Sequence, residues 1–256
     1  MVNVLHYILI PFKIILFVIL IILGICLLKN TNGDGNVTTL IIIFFKFVLH
    51  YLMSFNIEIS DNDYNKYMRY LYSDEKYLCI FNHISILDGF ILLSTFPKMG
   101  IVLYKQKFFD YIGYDGESNS KSGSIFVNED KTGNVTTKIK ETIYNRKKGQ
   151  SVLFISPDAN TLPDKEDNIS KFIKKGAFVS KSKILPIIIK YEDYSVIYNP
   201  EHESVLESFL KLFLFENYKI KIKVCDMINA HENESIEEYR DRVYVIMNEQ
   251  YKEIIL

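Results

Sequence analysis

The sequence predicts an α/β fold: a mostly parallel sheet flanked by helices, preceded by an N-terminal helical hairpin that anchors the chain to a membrane. Two observations carry this reading. From Tyr64 onward, short apolar runs rich in Ile, Val, Tyr and Phe alternate with stretches of helical periodicity. Such alternation builds a sheet with helices packed on its faces. Ahead of that point the apolar residues gather in two long segments, and the total of 48% hydrophobic residues is high for a chain that also carries 24% charged ones.

The first apolar segment runs from Val4 to Leu28, broken by His6 and Lys13, and carries no charge from Ile14 to Leu28. As a helix of about 25 residues it extends about 37 Å, more than the roughly 30 Å of a bilayer's hydrocarbon core. A cleaved leader is the competing reading, but no clear small-residue cleavage site follows Leu28. A polar turn from Lys29 to Asn36 leads into a second segment, Val37 to Phe55, interrupted by Lys46 and His50. That segment is expected to span the membrane or to lie in one leaflet. The expected organisation is an anchor over residues 1–60 and one globular domain over residues 61–256.

Within the domain, strands are expected at Tyr77–Phe81, Gly100–Tyr104, Ser124–Asn128, Ser151–Ser156, Ile184–Lys190, Ser195–Tyr198 and Tyr218–Cys225. Helices are expected at Ile86–Thr95, Val135–Lys148, Ile169–Ser182, Ser204–Phe215 and Ile236–Tyr251. The last opens with a Ser235 to Glu238 capping box and sets Ile236, Tyr239, Val243, Ile246 and Met247 on one face.

Composition removes several function classes. A formal net charge of −1 and the lack of a basic stripe interleaved with aromatics argue against nucleic acid as a partner. Cys26, Cys79 and Cys225 are far apart and lack Cys-x-x-Cys spacing, so neither a disulfide framework nor a metal site is expected, and a reducing compartment fits best.

The chemistry concentrates in Asn82-His83-Ile84-Ser85-Ile86-Leu87-Asp88, which follows the apolar run Tyr77–Phe81. Histidine is suited to accept a proton near neutral pH, and a carboxylate on one ring nitrogen fixes its tautomer and stabilises the imidazolium. Ser85 and Asp88 also have the spacing of a helix capping box, which puts His83 just ahead of a helix and Asp88 in its first turn. No Gly-x-Ser-x-Gly elbow occurs and no cysteine is close in sequence. If the pair is catalytic, it activates a hydroxyl of the substrate rather than one of its own. The plainer reading of these residues in isolation is a helix cap with an incidental histidine.

Taken in order, four segments resemble the glycerolipid acyltransferase family of the lysophosphatidic acid acyltransferase type. Asn82-His83-Ile84-Ser85-Ile86-Leu87-Asp88 matches its Asn-His-x4-Asp motif. Val102-Leu103-Tyr104-Lys105, with Phe108-Phe109 and Ile112-Gly113, is similar to the strand and loop that follow. Gly123-Ser124-Ile125-Phe126-Val127-Asn128-Glu129 falls where the family has Gly-x-x-Phe-Ile-x-Arg. Ile155-Ser156-Pro157-Asp158-Ala159-Asn160-Thr161 falls where it has Phe-Pro-Glu-Gly-Thr-Arg. Lys171-Phe172-Ile173-Lys174-Lys175-Gly176-Ala177-Phe178 and Ile184-Leu185-Pro186-Ile187-Ile188-Ile189 resemble two further runs of the family.

The resemblance implies transfer of a fatty acyl group from acyl-CoA or acyl carrier protein to a hydroxyl of a lysophospholipid or related glycerolipid, in phospholipid synthesis or remodelling. It implies no cofactor beyond acyl-CoA as donor substrate, and a membrane lipid environment. A eukaryotic member would sit on the endoplasmic reticulum or another internal membrane, its catalytic domain facing the cytosol. His83 would be the general base and Asp88 its partner, with Asn82 and Ser85 of the same motif among the substrate-binding residues. Asp158 and Asn160 would position the acceptor's polar head. Lys174 and Lys175 would meet CoA phosphates or anionic headgroups, or else form a solvated helix face, and the Gly176 turn would help bind the developing oxyanion. Glu129 and Thr161 stand where the family's phosphate-holding arginines belong, which points to an acceptor other than lysophosphatidic acid. A catalytically silent lipid-binding relative is the remaining class.

Overall fold

The computed structural model describes residues 9–20, 40, 43–104, 125–127, 135–158, 168–192, 204, 207, 210–213 and 218–255. Its centre is a seven-stranded sheet of β1 (Phe55–Ile59), β2 (Tyr77–Phe81), β3 (Met99–Tyr104), β4 (Ile125–Val127), β5 (Val152–Ile155), β6 (Lys183–Tyr191) and β7 (Tyr218–Val224), in the order β1-β7-β6-β2-β5-β3-β4. Every pairing is parallel except β6 with β7, so β1 and β7 run against the other five strands.

Burial explains the strand sequences. Tyr77–Phe81 and Val152–Ile155 are buried throughout, the pattern of parallel strands covered on both faces. In β7, Tyr218, Ile220, Ile222 and Val224 are buried while the intervening lysines are more exposed, as in a strand with one solvated face. Pro186 sits inside β6 at low cost. Its carbonyl accepts from Cys225 N at 2.9 Å, just past the last β6–β7 ladder pair, Ile187 with Val224, so its missing N–H falls where that ladder ends.

The helices named here are α1 (Asp61–Leu71), α2 (Asp88–Thr95), α3 (Val135–Asn145) and α4 (Ile236–Lys252). In α4 both capping-box bonds form, and Tyr239, Val243, Met247 and Tyr251 are buried at four-residue spacing. α1 is capped by Ser60, whose hydroxyl accepts from Asp63 N, and it buries Tyr67 and Leu71. Both α1 and β1 escape the sequence reading, because Phe55 closes the second apolar segment and α1 is dominated by Asp, Asn and Tyr.

Two expectations are corrected. Residues 169–182 form no helix: Phe172 makes an antiparallel bridge to Asp158, Lys174 N donates to Pro157 O, and the chain turns at 176–180. Phe172 and Phe178 pack edge-on against Tyr244 and Tyr239 of α4, so tertiary pairing overrides the helical spacing. The helix after His83 begins at Asp88 rather than at residue 86. The expected elements at Ser195–Tyr198 and half of Ser204–Phe215 lie outside the described residues.

Near the N-terminus, residues 9–20 are helical, as are 40 and 43–47, which run into a π-helical turn, Val48–Leu52. Among the described residues no helix is long and apolar enough to cross a membrane. The remainder of the expected first segment and the Lys29–Asn36 turn lie outside them. The latter half of the expected second segment packs onto the domain. Phe45, Val48, Leu49 and Leu52 are buried, the Phe45 ring lies tilted against that of Phe90 of α2 with centroids 5.2 Å apart, and Phe55 opens β1.

Candidate active site

β6, β2 and β5 lie side by side and run in one direction, so the turns after Phe81, Ile155 and Tyr191 meet at one edge. That carboxyl edge is where open α/β sheets place their ligand sites. His83 and Asp158 enter from the first two turns, and Tyr191 ends the third strand.

Asn82 is a buried amide that extends the sheet by one pseudo-residue. Its Nδ2 donates to Ile189 O and its Oδ1 accepts from Ile189 N, each at 2.8 Å. The chain then leaves the sheet and closes on Asp88. Asp88 Oδ2 lies 2.8 Å from His83 Nδ1 and accepts from Ile84 N at 2.6 Å and Ser85 N at 2.9 Å. Its Oδ1 accepts from the Tyr191 hydroxyl at 2.5 Å. The expected capping box is half formed: Asp88 reaches back to the Ser85 amide, but Ser85 Oγ accepts from Leu87 N at 3.3 Å, a local turn placed before the helix starts.

Exposure separates the two partners. The Asp88 side chain is 0% exposed and that of His83 40%. When neutral and donating from Nδ1 to the Asp88 carboxylate, His83 carries its acceptor on Nε2. Its main chain is fixed from the opposite side, where His83 N donates to Asp158 Oδ2 at 2.6 Å.

Asp158 is buried, and its second oxygen, Oδ1, has no hydrogen-bond partner among the described residues, as is true of Ser156 Oγ two residues earlier. Burial, with the nearby Asp88 charge adding to it, pushes the Asp158 carboxyl well above the ordinary carboxylate range, while the His83 amide and Lys174 pull the other way.

The structure therefore gathers Asn82, His83, Ser85, Asp88 and Asp158 at one place, with Lys174 close enough to act on Asp158. Lys175 is directed elsewhere, into an ion pair with Glu237 in the first turn of α4. Gly176 begins the 176–180 turn and has open space around its Cα, so no close approach demands a glycine there. Asn160, Glu129 and Thr161 lie outside the described residues. Tyr191 was missed by the sequence reading because a tyrosine closing an apolar strand looks like core. Arg146, a buried guanidinium, is held by the Leu71 and Glu75 carbonyls and lies 5.0 Å from the ring of Tyr77. It thus serves the start of β2, the opposite end from His83.

The Acyltransferase family model matches residues 63–190, half of the 256-residue chain. The chain belongs to the Acyltransferase family. Its matched region contains β2, β5, the whole His83–Asp88 turn and all of β6 except its last residue, Tyr191. A 130-residue stretch is 28% identical to the 1-acyl-sn-glycerol-3-phosphate acyltransferase of Saccharomyces cerevisiae, covering 49% of this chain and 42% of that protein. The chain thus matches less than half the length of this curated relative. The crystal structure of the 1-acyl-sn-glycerophosphate (LPA) acyltransferase PlsC from Thermotoga maritima superposes with a TM-score of 0.57 at 16% identity, over 85% of this chain and 79% of that one. At that identity the likeness is one of fold. The family is thus shown, and with it the mostly parallel α/β sheet.

Proposed function

We propose that this acyltransferase-family protein transfers a fatty acyl group from acyl-CoA, or acyl carrier protein, to a hydroxyl of a lysophospholipid or related glycerolipid. The observation that carries the reading is the 2.8 Å contact of His83 Nδ1 with a fully buried Asp88, which leaves the more exposed histidine ring facing outward at the carboxyl edge of the sheet. His83 Nε2 takes the proton of the acceptor hydroxyl as its oxygen attacks the thioester carbonyl. Asp88 stabilises the imidazolium. The tetrahedral intermediate collapses with cleavage of the C–S bond, and the imidazolium proton goes to the departing thiolate. The products are an ester and free CoA thiol, and no acyl-enzyme forms.

Asp158, with Asn160 beyond it in sequence, would receive the acceptor's polar head, and Lys174 an anionic group of either substrate. Glu129 and Thr161 in place of the family arginines favour an acceptor that does not rely on bidentate phosphate binding. Attachment to a membrane surface is supported by Phe12, Ile15, Ile19, Ile43, Phe47 and Tyr51, all exposed on the N-terminal helices.

The test is His83→Ala, assayed as thiol release from palmitoyl-CoA with a panel of lysophospholipid and monoacylglycerol acceptors. Turnover should fall at least about a thousandfold with the fold unchanged. Retained turnover rejects His83 as the base. Steady lysolipid binding without thiol release by the native chain identifies a silent relative instead.

A further inference from the structure

We propose that Tyr191 is a positioning residue for the His83–Asp88 pair, its hydroxyl holding Asp88 Oδ1 so that Oδ2 is committed to the histidine. The inference rests on the reading of His83 as general base and deepens it.

A carboxylate with one oxygen unheld can rotate about its Cβ–Cγ bond and change the lone pair it offers. Asp88 Oδ2 already collects His83 Nδ1 and the amides of Ile84 and Ser85. Among the described residues Tyr191 is the group that holds the other oxygen, at 2.5 Å. The phenol is itself fixed on several sides. Tyr191 is the last residue of β6, buried, and paired in register with Ile220 of β7, while Glu192 N continues to Lys219 O at 3.0 Å. Just before it, Lys190 Nζ bonds the Tyr251 and Ile254 carbonyls at 3.2 and 2.9 Å and lies 4.8 Å from the centre of the Tyr251 ring. The end of β6 is thereby tied to the end of α4.

The groups facing the pair are Ser85, which hydrogen-bonds the Tyr191 oxygen, Tyr251 beside it, Asp158 across the His83 amide, and Lys174 acting on Asp158. Burial first, and then the Asp88 charge, push the Tyr191 hydroxyl well above the usual phenol range. It therefore remains a donor at any working pH and is neither consumed nor ionised during turnover. A tyrosine that merely satisfied its own buried hydroxyl would have no effect on how His83 titrates.

The experiment compares the full chain with Tyr191→Phe, using palmitoyl-CoA and the panel acceptor of highest turnover, and follows His83 by 15N-histidine NMR across pH. Loss of a hydrogen bond to a charged group should lower kcat roughly tenfold or more, leaving KM for both substrates within about twofold. The His83 titration should move upward by about half a unit, because the Asp88 charge is less dispersed. Ile188→Val, a core change in the same strand, should move neither reading. An unchanged kcat and His83 titration, or a loss no larger than that of Ile188→Val, overturns the assignment. If Tyr191→Phe does not fold, 3,5-difluorotyrosine at position 191, a stronger donor of the same shape, should move the titration downward; no movement overturns it equally. Failure of the base reading is separate, since it appears as turnover in His83→Ala whatever His83 does in Tyr191→Phe.

Discussion

The turns after β2 and β5 adjoin each other and are built on opposite principles. From Asn82 to Asp88 the chain meets its own polar needs: the Asn82 amide is paired on both sides with Ile189, and both Asp88 oxygens are engaged. From Ser156 to Asp158 it does not: Ser156 Oγ and Asp158 Oδ1 are buried without partners among the described residues. Unmade hydrogen bonds in a buried site cost about 1–3 kcal/mol each, so native folds keep few of them. The contrast teaches a division of labour. The first turn holds its carboxylate through both oxygens, and the second leaves two buried oxygens that no group among the described residues satisfies.

Several substitutions break or sharpen that contrast. Asp88→Asn should have the largest effect, lowering kcat by about 10³-fold or more at nearly unchanged stability, since an amide no longer holds the right tautomer. Single-turnover kinetics with a thermal melt would check it, and a loss below tenfold would mean that Asp88 is only structural. Asn82→Leu comes next, stranding the Ile189 N–H and C=O in the core. Stability should fall on the order of 3 kcal/mol, read as the urea midpoint.

Asp158→Asn should act in the opposite sense, raising stability by about 1 kcal/mol at neutral pH. A carboxyl whose folded-state pKa is raised holds its proton more tightly when folded. Its contribution is complete at pH below the ordinary carboxylate range and is lost as pH rises through the elevated folded value. Melting temperature of the native chain should therefore drop between acidic and neutral pH relative to Asp158→Asn, while the KM for the acceptor rises severalfold in the variant. Parallel melting curves across that range would refute the elevated carboxyl.

Much of the fold was legible because period and composition carry it. The continuous apolar runs of β2, β5 and β6 and the Ser235–Glu238 box of α4 announce themselves locally, and each appears within a residue or two of its expected place. Residues 169–182 were misread for the complementary reason. Their spacing suits a helix, but Phe172 and Phe178 find better burial against α4 when the backbone pairs with Pro157 and Asp158. Lys175 illustrates the same limit, since its partner Glu237 is distant in sequence and no motif indicates it.

By itself, then, the sequence determined the alternating α/β pattern, the apolar N-terminal segments and the pairing of His83 with Asp88, because these depend on short-range spacing and on side-chain chemistry. Tertiary structure alone decided that Asp158 meets the His83 amide and that Tyr191 holds Asp88. Those contacts join residues 75 and 103 positions apart. They exist because parallel strands brought side by side deliver their carboxyl ends to one edge, an arrangement that no local stretch of sequence encodes.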